Sequence, residues 1–248
     1  MLVLIYKNNL DHLLIHHTPI HMQNMETSMF ERLLQLPLFQ GMTKKEIYEV
    51  ISRVKLDFTN YQAGDEIVLQ GDPCKSLVYI ISGQMSAEYR DPHSRFILTE
   101  KLNNVGLIEA YNMFGMTPRY SRTYIFDTNG VTLKIDKAML LNQLMINYIA
   151  KINMLNTTCN QYHQTLKLLR DFPEDTVQDK ITKFILSFSS TTRGEKELRI
   201  KMTDLADIVH ETRLNVSKAL NQMQEDNLIS LQRNFINIPD IEKLYKRI

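Results

Sequence analysis

The spacing of apolar residues changes twice along the chain and divides it into three parts. From position 25 to about 54 apolar residues recur every three to four positions, as in amphipathic helices. From 56 to 136 they fall in short runs separated by turn signals such as Gly64-Asp65 and Asn129-Gly130. After 137 the helical period returns. The pattern therefore predicts a strand-rich unit between two helical parts.

The first two parts contain clear local signals. Thr43 and, three residues later, Glu46 form a capping box, which predicts a helix running toward Val54. Evenly spaced strand-like runs predict a small barrel or jelly roll. These runs are 56–61, 66–70, 77–81, 85–89, 95–98, 123–126 and 131–135.

One long helix is predicted from about Lys137 to Arg170. Its apolar residues recur at alternating steps of four and three, the heptad spacing of a coiled coil. We call this set the heptad stripe, and its members are Leu141, Met145, Tyr148, Ile152, Leu155, Cys159, Tyr162, Leu166 and Leu169. Packing on the preceding strands would need a broader, less regular face. The stripe therefore predicts a parallel homodimer.

The stretch from Met202 to Met223 has the pattern of two short helices joined by a tight corner at His210 and Glu211. Thr203 can cap the first helix and Thr212 the second. Two apolar faces that pack at a steep angle predict a helix-turn-helix motif. The alternative is an ordinary helical hairpin with a solvated polar face.

The residues that follow the corner suit DNA, because a helix-turn-helix places the start of its second helix in the major groove. Arg213 can pair bidentately with guanine, Asn215 can serve adenine or a phosphate, and Leu214 can contact a thymine methyl. Beyond them, two short strands turning at Arg233-Asn234 predict the wing of a winged helix. The predicted DNA contacts are Thr203, Thr212, Arg213, Leu214, Asn215, Ser217, Lys218 and Arg233.

These signals predict four segments. Residues 1–24 are an N-terminal extension of uncertain status, 25–136 a β-roll with its helical preface, 137–171 the dimerisation helix, and 172–248 the winged helix-turn-helix. Pro173 is expected to end the dimerisation helix, and the hinge there is where an effector could rotate the DNA-binding helices.

Composition narrows the class of protein. With 248 residues, 44% of them hydrophobic, and no apolar run near the roughly 20 that cross a bilayer, the chain predicts a globular protein rather than a membrane protein. The net charge of +1 means that any DNA-binding field is local. His12, His16 and His17 lack supporting ligands for a metal site.

The number and spacing of the cysteines indicate where the protein is located and which cofactors it lacks. The chain has two cysteines, Cys74 and Cys159, and they lie far apart, which indicates a reducing, cytoplasmic location. No iron–sulfur cluster is expected, since a cluster needs about four thiolates. Buried inert thiols are favoured over redox sensors.

A family resemblance becomes visible in the strand-rich unit. Residues 62–65, Gln-Ala-Gly-Asp, and residues 70–84 look like the start of a cyclic-nucleotide-binding β-roll. With the helix-turn-helix behind it, nearly the whole chain after Met25 resembles the cyclic-AMP receptor protein and fumarate-nitrate regulator (Crp/Fnr) family of bacterial transcription factors. The resemblance implies an α+β fold with an N-terminal roll, a long dimerisation helix and a C-terminal winged helix. It also implies that Arg213 contacts a guanine.

The chain departs from the family pattern at the effector cassette and at the corner. The family has Phe-Gly-Glu and, about ten residues later, an Arg before Ser/Thr-Ala. Here Phe114-Gly115-Met116 precedes an early Arg122, and Glu109 could replace the missing carboxylate only in a rebuilt loop. Because the cassette has Met116 where the family has a carboxylate, and its arginine comes too early, we expect no cyclic AMP. At the corner, the family often has Gly at the position of His210 and Glu at the position of Leu214.

An unidentified small anionic effector is still a possible ligand. Its candidate residues are Gly83, Glu109, Arg119, Arg122 and Thr123. The alternative is that Arg119 and Arg122 form a solvated or inter-domain ion-pairing surface, in which case no ligand is needed.

The function predicted from these features is a transcriptional regulator that binds double-stranded DNA as a homodimer at a near-palindromic operator, with RNA polymerase as a further partner. A second hypothesis is an effector-binding or interaction protein whose helix-turn-helix is only a scaffold, and it predicts no salt-dependent DNA affinity. No catalytic constellation supports an enzyme.

Overall fold

The computed structural model describes residues 33–34, 36–102, 106–171 and 176–245 of the chain. The predictions for residues 1–24, including their histidines, and for Pro173 lie outside the described residues. The side chain of Leu169 lies outside them too.

Short strands build the roll, preceded by a 3₁₀ turn (Pro37–Phe39) and helix α1 (Lys44–Ile51). Its strands are β1 (Asp57–Tyr61), β2 (Glu66–Val68), β3 (Ser76–Ser82), β4 (Met85–Arg90), β5 (Phe96–Leu102), β6 (Leu107–Ile108), β7 (Thr123–Phe126) and β8 (Gly130–Asp136). Each predicted run overlaps one of these strands. The capping box is also confirmed, because Thr43 Oγ1 accepts from Glu46 N at 3.3 Å and the Glu46 carboxylate accepts from Thr43 N at 2.7 Å.

The strands of the roll belong to two sheets. One has the order β1-β8-β3-β6, and the other contains β5-β4-β7-β2. Antiparallel sheets with one face buried pack face to face around a shared core. The core of the roll includes the fully buried Leu77, Tyr79, Phe126 and Leu133.

The predicted single helix from Lys137 is wrong at its start. Instead, α2 (Lys137–Met139) is followed by a π-helical turn (Leu140–Leu144), and α3 (Tyr148–Asp171) begins after a break. Both Leu140 and Leu144 are fully buried in the roll core, so the wider turn directs both side chains inward. The Asn147 side chain then accepts from Ala150 N at 3.1 Å at the start of α3.

The heptad stripe lies on the outer surface of this region. The opposite face of α3 packs on the 3₁₀ turn that precedes the roll, and its Ala150 and Met154, 0% and 6% exposed, belong to the same core. Leu141, Tyr148, Leu155, Cys159, Tyr162 and Leu166 of the stripe are exposed, and Met145 and Ile152 are partly buried. The described part of the stripe therefore remains available for a partner.

The C-terminal unit, residues 176–245, is a winged helix. Its elements are α4 (Val177–Ser187), β9 (Lys196–Ile200), α5 (Met202–Ile208), α6 (Arg213–Glu225), β10 (Ser230–Gln232), β11 (Phe235–Ile238) and α7 (Glu242–Tyr245). The predicted wing is confirmed, since β10 pairs with β11 around a turn at Arg233 and Asn234.

The second sheet does not end at the roll. Its full order is β10-β11-β9-β5-β4-β7-β2, so β9 of the C-terminal unit pairs with β5 of the roll. Phe96 and Leu98 of β5 are buried in the core of the C-terminal unit. The two units are thus joined through a continuous sheet as well as through the chain.

Candidate nucleic-acid interface

The corner between α5 and α6 is formed by backbone geometry that the sequence only partly reveals. His210 adopts a left-handed conformation with φ 54°, the conformation that glycine adopts most easily. Glu211 N then donates to Ala206 O at 3.0 Å and closes the turn. A histidine therefore occupies the strained position where the resemblance leads one to expect glycine.

The two predicted helix caps had different outcomes. Thr212 caps α6 as predicted, because its Oγ1 accepts from Asn215 N at 3.2 Å. The prediction for Thr203 as a cap is wrong, because α5 begins at Met202 and Lys201 holds the N-cap position without a side-chain bond. A single extended residue joins β9 to α5, so the helix starts before Thr203. Thr203 is exposed in the first turn.

Helix α6, the recognition helix, has a buried face and an exposed face. Its buried residues are Val216, Ala219, Leu220 and Met223. Of the predicted contacts, Arg213, Leu214, Asn215 and Lys218 are exposed, Ser217 is partly buried, and Leu214 is 64% exposed. These exposed side chains combine a guanidinium, an amide, an ammonium and an apolar group, the types that contact base edges and phosphates.

Two residues that hold this face in place were not predicted. Lys180 on α4 contacts Glu211 with an Nζ to Oε1 distance of 2.6 Å, and Glu211 Oε2 accepts from Asn215 Nδ2 at 3.2 Å. The hydrogen bond from Lys180 lowers the pKa of Glu211, and the bond from Asn215 lowers it further. The four-residue spacing of Glu211 and Asn215 was a usable signal, whereas nothing local in the sequence indicated Lys180.

Arg233 is exposed at the tip of the wing. The turn is completed by Asn234, whose φ of 57° is left-handed, a conformation that asparagine tolerates. This geometry leaves the guanidinium at the end of a two-stranded projection, where it can contact a phosphate.

The candidate effector residues lie in different environments. Glu109 is buried, and its carboxylate accepts from Ser121 N at 2.7 Å, Ser121 Oγ at 2.8 Å, Asn112 Nδ2 at 2.6 Å and Tyr124 OH at 3.2 Å. Burial raises the pKa of Tyr124 and the Glu109 charge raises it further, so the phenol remains a donor. The acceptor positions of Glu109 are therefore used within the protein.

Arg122 is also engaged internally. It is 6% exposed, its Nη2 donates to Phe188 O at 2.7 Å, and its Nε lies 3.3 Å from Glu100 Oε1. Its Nη1 lies 3.8 Å from Glu109. Because Phe188 belongs to the C-terminal unit, the hydrogen bond to its carbonyl crosses the domain boundary, while the ion pairs of Arg122 with Glu100 and Glu109 both lie within the roll. Among the described residues, Arg122 is therefore neither solvated nor part of an inter-domain ion pair.

The other three candidates have separate local roles. Arg119 is exposed and donates to Gly71 O at 2.6 Å, and Thr123 Oγ1 accepts from Gln70 N at 3.0 Å. Gly83 has φ 101°, and a Cβ there would lie 2.8 Å from the Gly130 Cα. No described hydrogen bond or ion pair joins these three to Glu109 and Arg122.

The part of the chain that the structure describes lacks two features, a metal-binding cluster and a membrane-spanning helix. It contains no group of three or more His, Cys, Asp or Glu side chains placed to hold a metal ion. None of its helices is long and apolar enough to span a membrane.

Two known domain families match parts of this chain. Residues 58–147 match the cyclic nucleotide-binding domain, and residues 179–247 match the Crp-like helix-turn-helix domain. The chain belongs to the Crp/Fnr family of DNA-binding transcriptional regulators. Family membership confirms the predicted regulator rather than an enzyme.

The proteins to which this chain is similar differ strongly from it in sequence. The CRP-like cAMP-activated global transcriptional regulator of Mycobacterium tuberculosis is 23% identical over 226 residues, which cover 88% of this chain and 99% of the relative. The catabolite activator protein of Thermus thermophilus has a TM-score of 0.47 at 17% identity, covering 85% of this chain and 97% of that one. DNR of Pseudomonas aeruginosa has a TM-score of 0.40 at 18% identity, covering 93% and 98%.

Proposed function

We propose that this regulator binds DNA as a homodimer at a near-palindromic site, with one recognition helix in each of two successive major grooves. The observation that supports the DNA contact is the exposed face of α6, where Arg213, Leu214 and Lys218 project away from a buried apolar face. The wing adds Arg233 as a phosphate contact. Asn215 is held by Glu211 beside this face.

The exposed heptad stripe supports the homodimer. Five exposed members, among them Tyr148 at 74% and Tyr162 at 61%, lie along one side of α3 from 148 to 166, while Ala150 and Met154 on the opposite side are buried. An exposed apolar stripe with heptad spacing is typically buried against the same stripe of an identical helix, as in a coiled coil. A two-fold axis along α3 would place the two recognition helices about 34 Å apart, one turn of DNA.

The roll is proposed to take no cyclic nucleotide. A cyclic phosphate would need an anion site, but Arg122 is paired with Glu100 and lies close to Glu109. A ribose hydroxyl would need a carboxylate acceptor, but Glu109 already accepts from Ser121, Asn112 and Tyr124. Binding would therefore have to break several buried interactions. Isothermal titration with cyclic AMP is expected to give no heat of binding, and saturable binding would contradict this proposal.

The DNA-binding proposal is tested with a fluorescent duplex that carries a site selected from a random pool. Arg213→Ala should weaken binding to this site by about 5- to 150-fold, the equivalent of one lost bidentate base contact worth about 1–3 kcal/mol. The matched control is Arg90→Ala, which removes the same charge from an exposed arginine on the roll. Equal losses in the two variants would contradict the assignment of Arg213.

The homodimer is tested through Cys159. In a parallel pair each stripe residue faces its own counterpart, so two Cys159 side chains would lie within disulfide range. Mild oxidation should give a covalent dimer that Cys159→Ser abolishes and Cys74→Ser does not, because Cys74 is buried. A protein that sediments as a monomer at micromolar concentration would contradict the dimer.

A further inference from the structure

The contact between β5 and β9 joins the DNA-binding unit directly to the roll. The two strands are antiparallel, with Cα partners that run from Phe96 and Ile200 at one end to Glu100 and Lys196 at the other. Since β9 also pairs with β11, the wing, β9 and the roll share one hydrogen-bonded sheet. We call this β5–β9 contact, together with its side chains, the latch.

The apolar half of the latch is an aromatic cluster that crosses the boundary between the units. The Phe96 ring lies 5.0 Å from the rings of both Phe184 and Phe188, and Tyr89 on β4 lies 5.0 Å from Phe188. Phe96 is 3% exposed and Leu98 is 1% exposed. Separating the units would expose both side chains to water.

The polar half of the latch is a buried ion pair. Glu100 of the roll and Lys196 of the C-terminal unit are both fully buried, with 2.5 Å between Oε2 and Nζ. Glu100 Oε1 also accepts from Ser190 N at 2.6 Å, and Lys196 Nζ lies 2.9 Å from Thr191 Oγ1. Arg122 spans the same boundary through its bond to Phe188 O.

Charge and sheet pairing restrict the relative motion of the two units. Opening the latch would separate Lys196 from Glu100 and Arg122 from Phe188 O. It would also uncover two strand edges. A hinge motion at the link after α3 that displaced β9 would have to break all of these contacts together.

The closed latch leaves the DNA-contacting face open. Arg213, Leu214 and Lys218 on α6 are exposed in the latched structure, whereas the latch uses β9, the loop before it and the end of α4. The latch thus fixes the orientation of the recognition helix without covering it. Two recognition helices held in fixed orientations lose less orientational entropy on binding two half-sites than two flexibly tethered helices would lose.

We propose that the closed latch is the DNA-binding state of this regulator, and that Glu100 and Lys196 are positioning residues through which the roll holds the recognition helix in register for DNA. This inference rests on the proposed function. It assigns control of DNA affinity to a strand contact between the units, with no ligand required for closure.

The test uses a reversible lock across the two strands. Thr99 and Glu197 are Cα partners on the partly exposed face of the latch, and antiparallel partners lie about 4.5–5.5 Å apart, within disulfide range. Thr99→Cys with Glu197→Cys is made in a Cys159→Ser background, so that inter-subunit disulfides do not interfere. The oxidised protein should bind the selected duplex within about twofold of the reduced protein.

The opposing perturbation is Glu100→Lys, which gathers three cations at the latch. It should weaken binding by about 5- to 150-fold, with the recognition helix still folded by circular dichroism. Adding the lock to Glu100→Lys and oxidising it should restore the affinity, which separates an open latch from a misfolded protein. Glu88→Lys, with the same charge change at a partly buried roll residue outside the β5–β9 pairing, is the matched control.

Two outcomes would overturn the inference. One is loss of DNA binding on oxidation with recovery on reduction, because the latch would then have to open for binding. The other is wild-type affinity in Glu100→Lys, or no recovery when its lock is closed. If the reduced parent protein itself showed no salt-dependent DNA binding, the proposed function would fail instead, which is a distinguishable result.

Discussion

Replacing the two ends of the buried ion pair separately and together tests whether Glu100 and Lys196 compensate each other. Glu100→Gln would leave Lys196 without its counter-charge and Arg122 with only the more distant Glu109, since Lys196 and Arg122 both lie within 3.3 Å of the Glu100 carboxylate. We expect it to lower the free energy of unfolding by about 5 kcal/mol, the upper end for breaking a buried pair. Lys196→Met leaves Glu100 with Arg122 and two backbone donors, so we expect about 3 kcal/mol.

The double replacement should cost less than Glu100→Gln alone, because Lys196 is no longer present as a buried cation without its partner. Burial lowers the pKa of Lys196, and the Glu100 charge opposes this effect, as expected for a cation kept charged by its partner. Unfolding in urea is followed by circular dichroism, because the chain has no tryptophan for fluorescence. All variants are compared at one protein concentration, since the stability of a dimer depends on concentration. A double variant whose loss equals the sum of the single losses would refute mutual compensation.

Three further predictions follow from the recognition motif. His210→Gly should raise the free energy of unfolding by up to about 1 kcal/mol in urea titrations, because φ 54° strains histidine but not glycine; a loss of stability would contradict this. Thr212→Ala should cost about 1 kcal/mol in the same assay, whereas Thr203→Ala should be near neutral, since only Thr212 caps a helix; equal effects would contradict the cap assignment. The hydrogen bond from Lys180 lowers the pKa of Glu211 below its ordinary 4.5, so the carboxylate contributes fully to stability above pH 4.5 and loses this contribution as the pH falls through the folded-state pKa. Glu211→Gln should flatten this part of the stability–pH profile. An unchanged profile would refute the Lys180 contact.

Local signals were sufficient for much of the fold. The capping box at Thr43, the strand runs and the wing turn at Arg233-Asn234 were all predicted, because each depends on neighbouring residues. Strand β6 was missed because it contains only Leu107 and Ile108. The break before α3 was missed because Leu140 and Leu144 continue an apolar pattern that gives no sign of a π-helical turn.

Contacts between distant parts of the chain could not be predicted from local pattern. Glu100 and Lys196 are 96 residues apart. Strand alternation places each of them on the apolar face of its own strand, but nothing local indicates that they pair with each other. The same limit hid the contact of Lys180 with Glu211, 31 residues away. In contrast, the outward position of Arg213 and Lys218 followed directly from helical period, and the structure shows both exposed.

The most direct test of the central claim is selection of bound sequences from a random duplex pool by the wild-type protein and by Arg213→Ala. The account predicts a two-fold symmetric motif with half-site centres about 10 base pairs apart, one helical turn. It also predicts that Arg213→Ala loses the preference at one guanine in each half-site. A pool without enrichment, a motif without symmetry, or the same motif from both proteins would contradict the account.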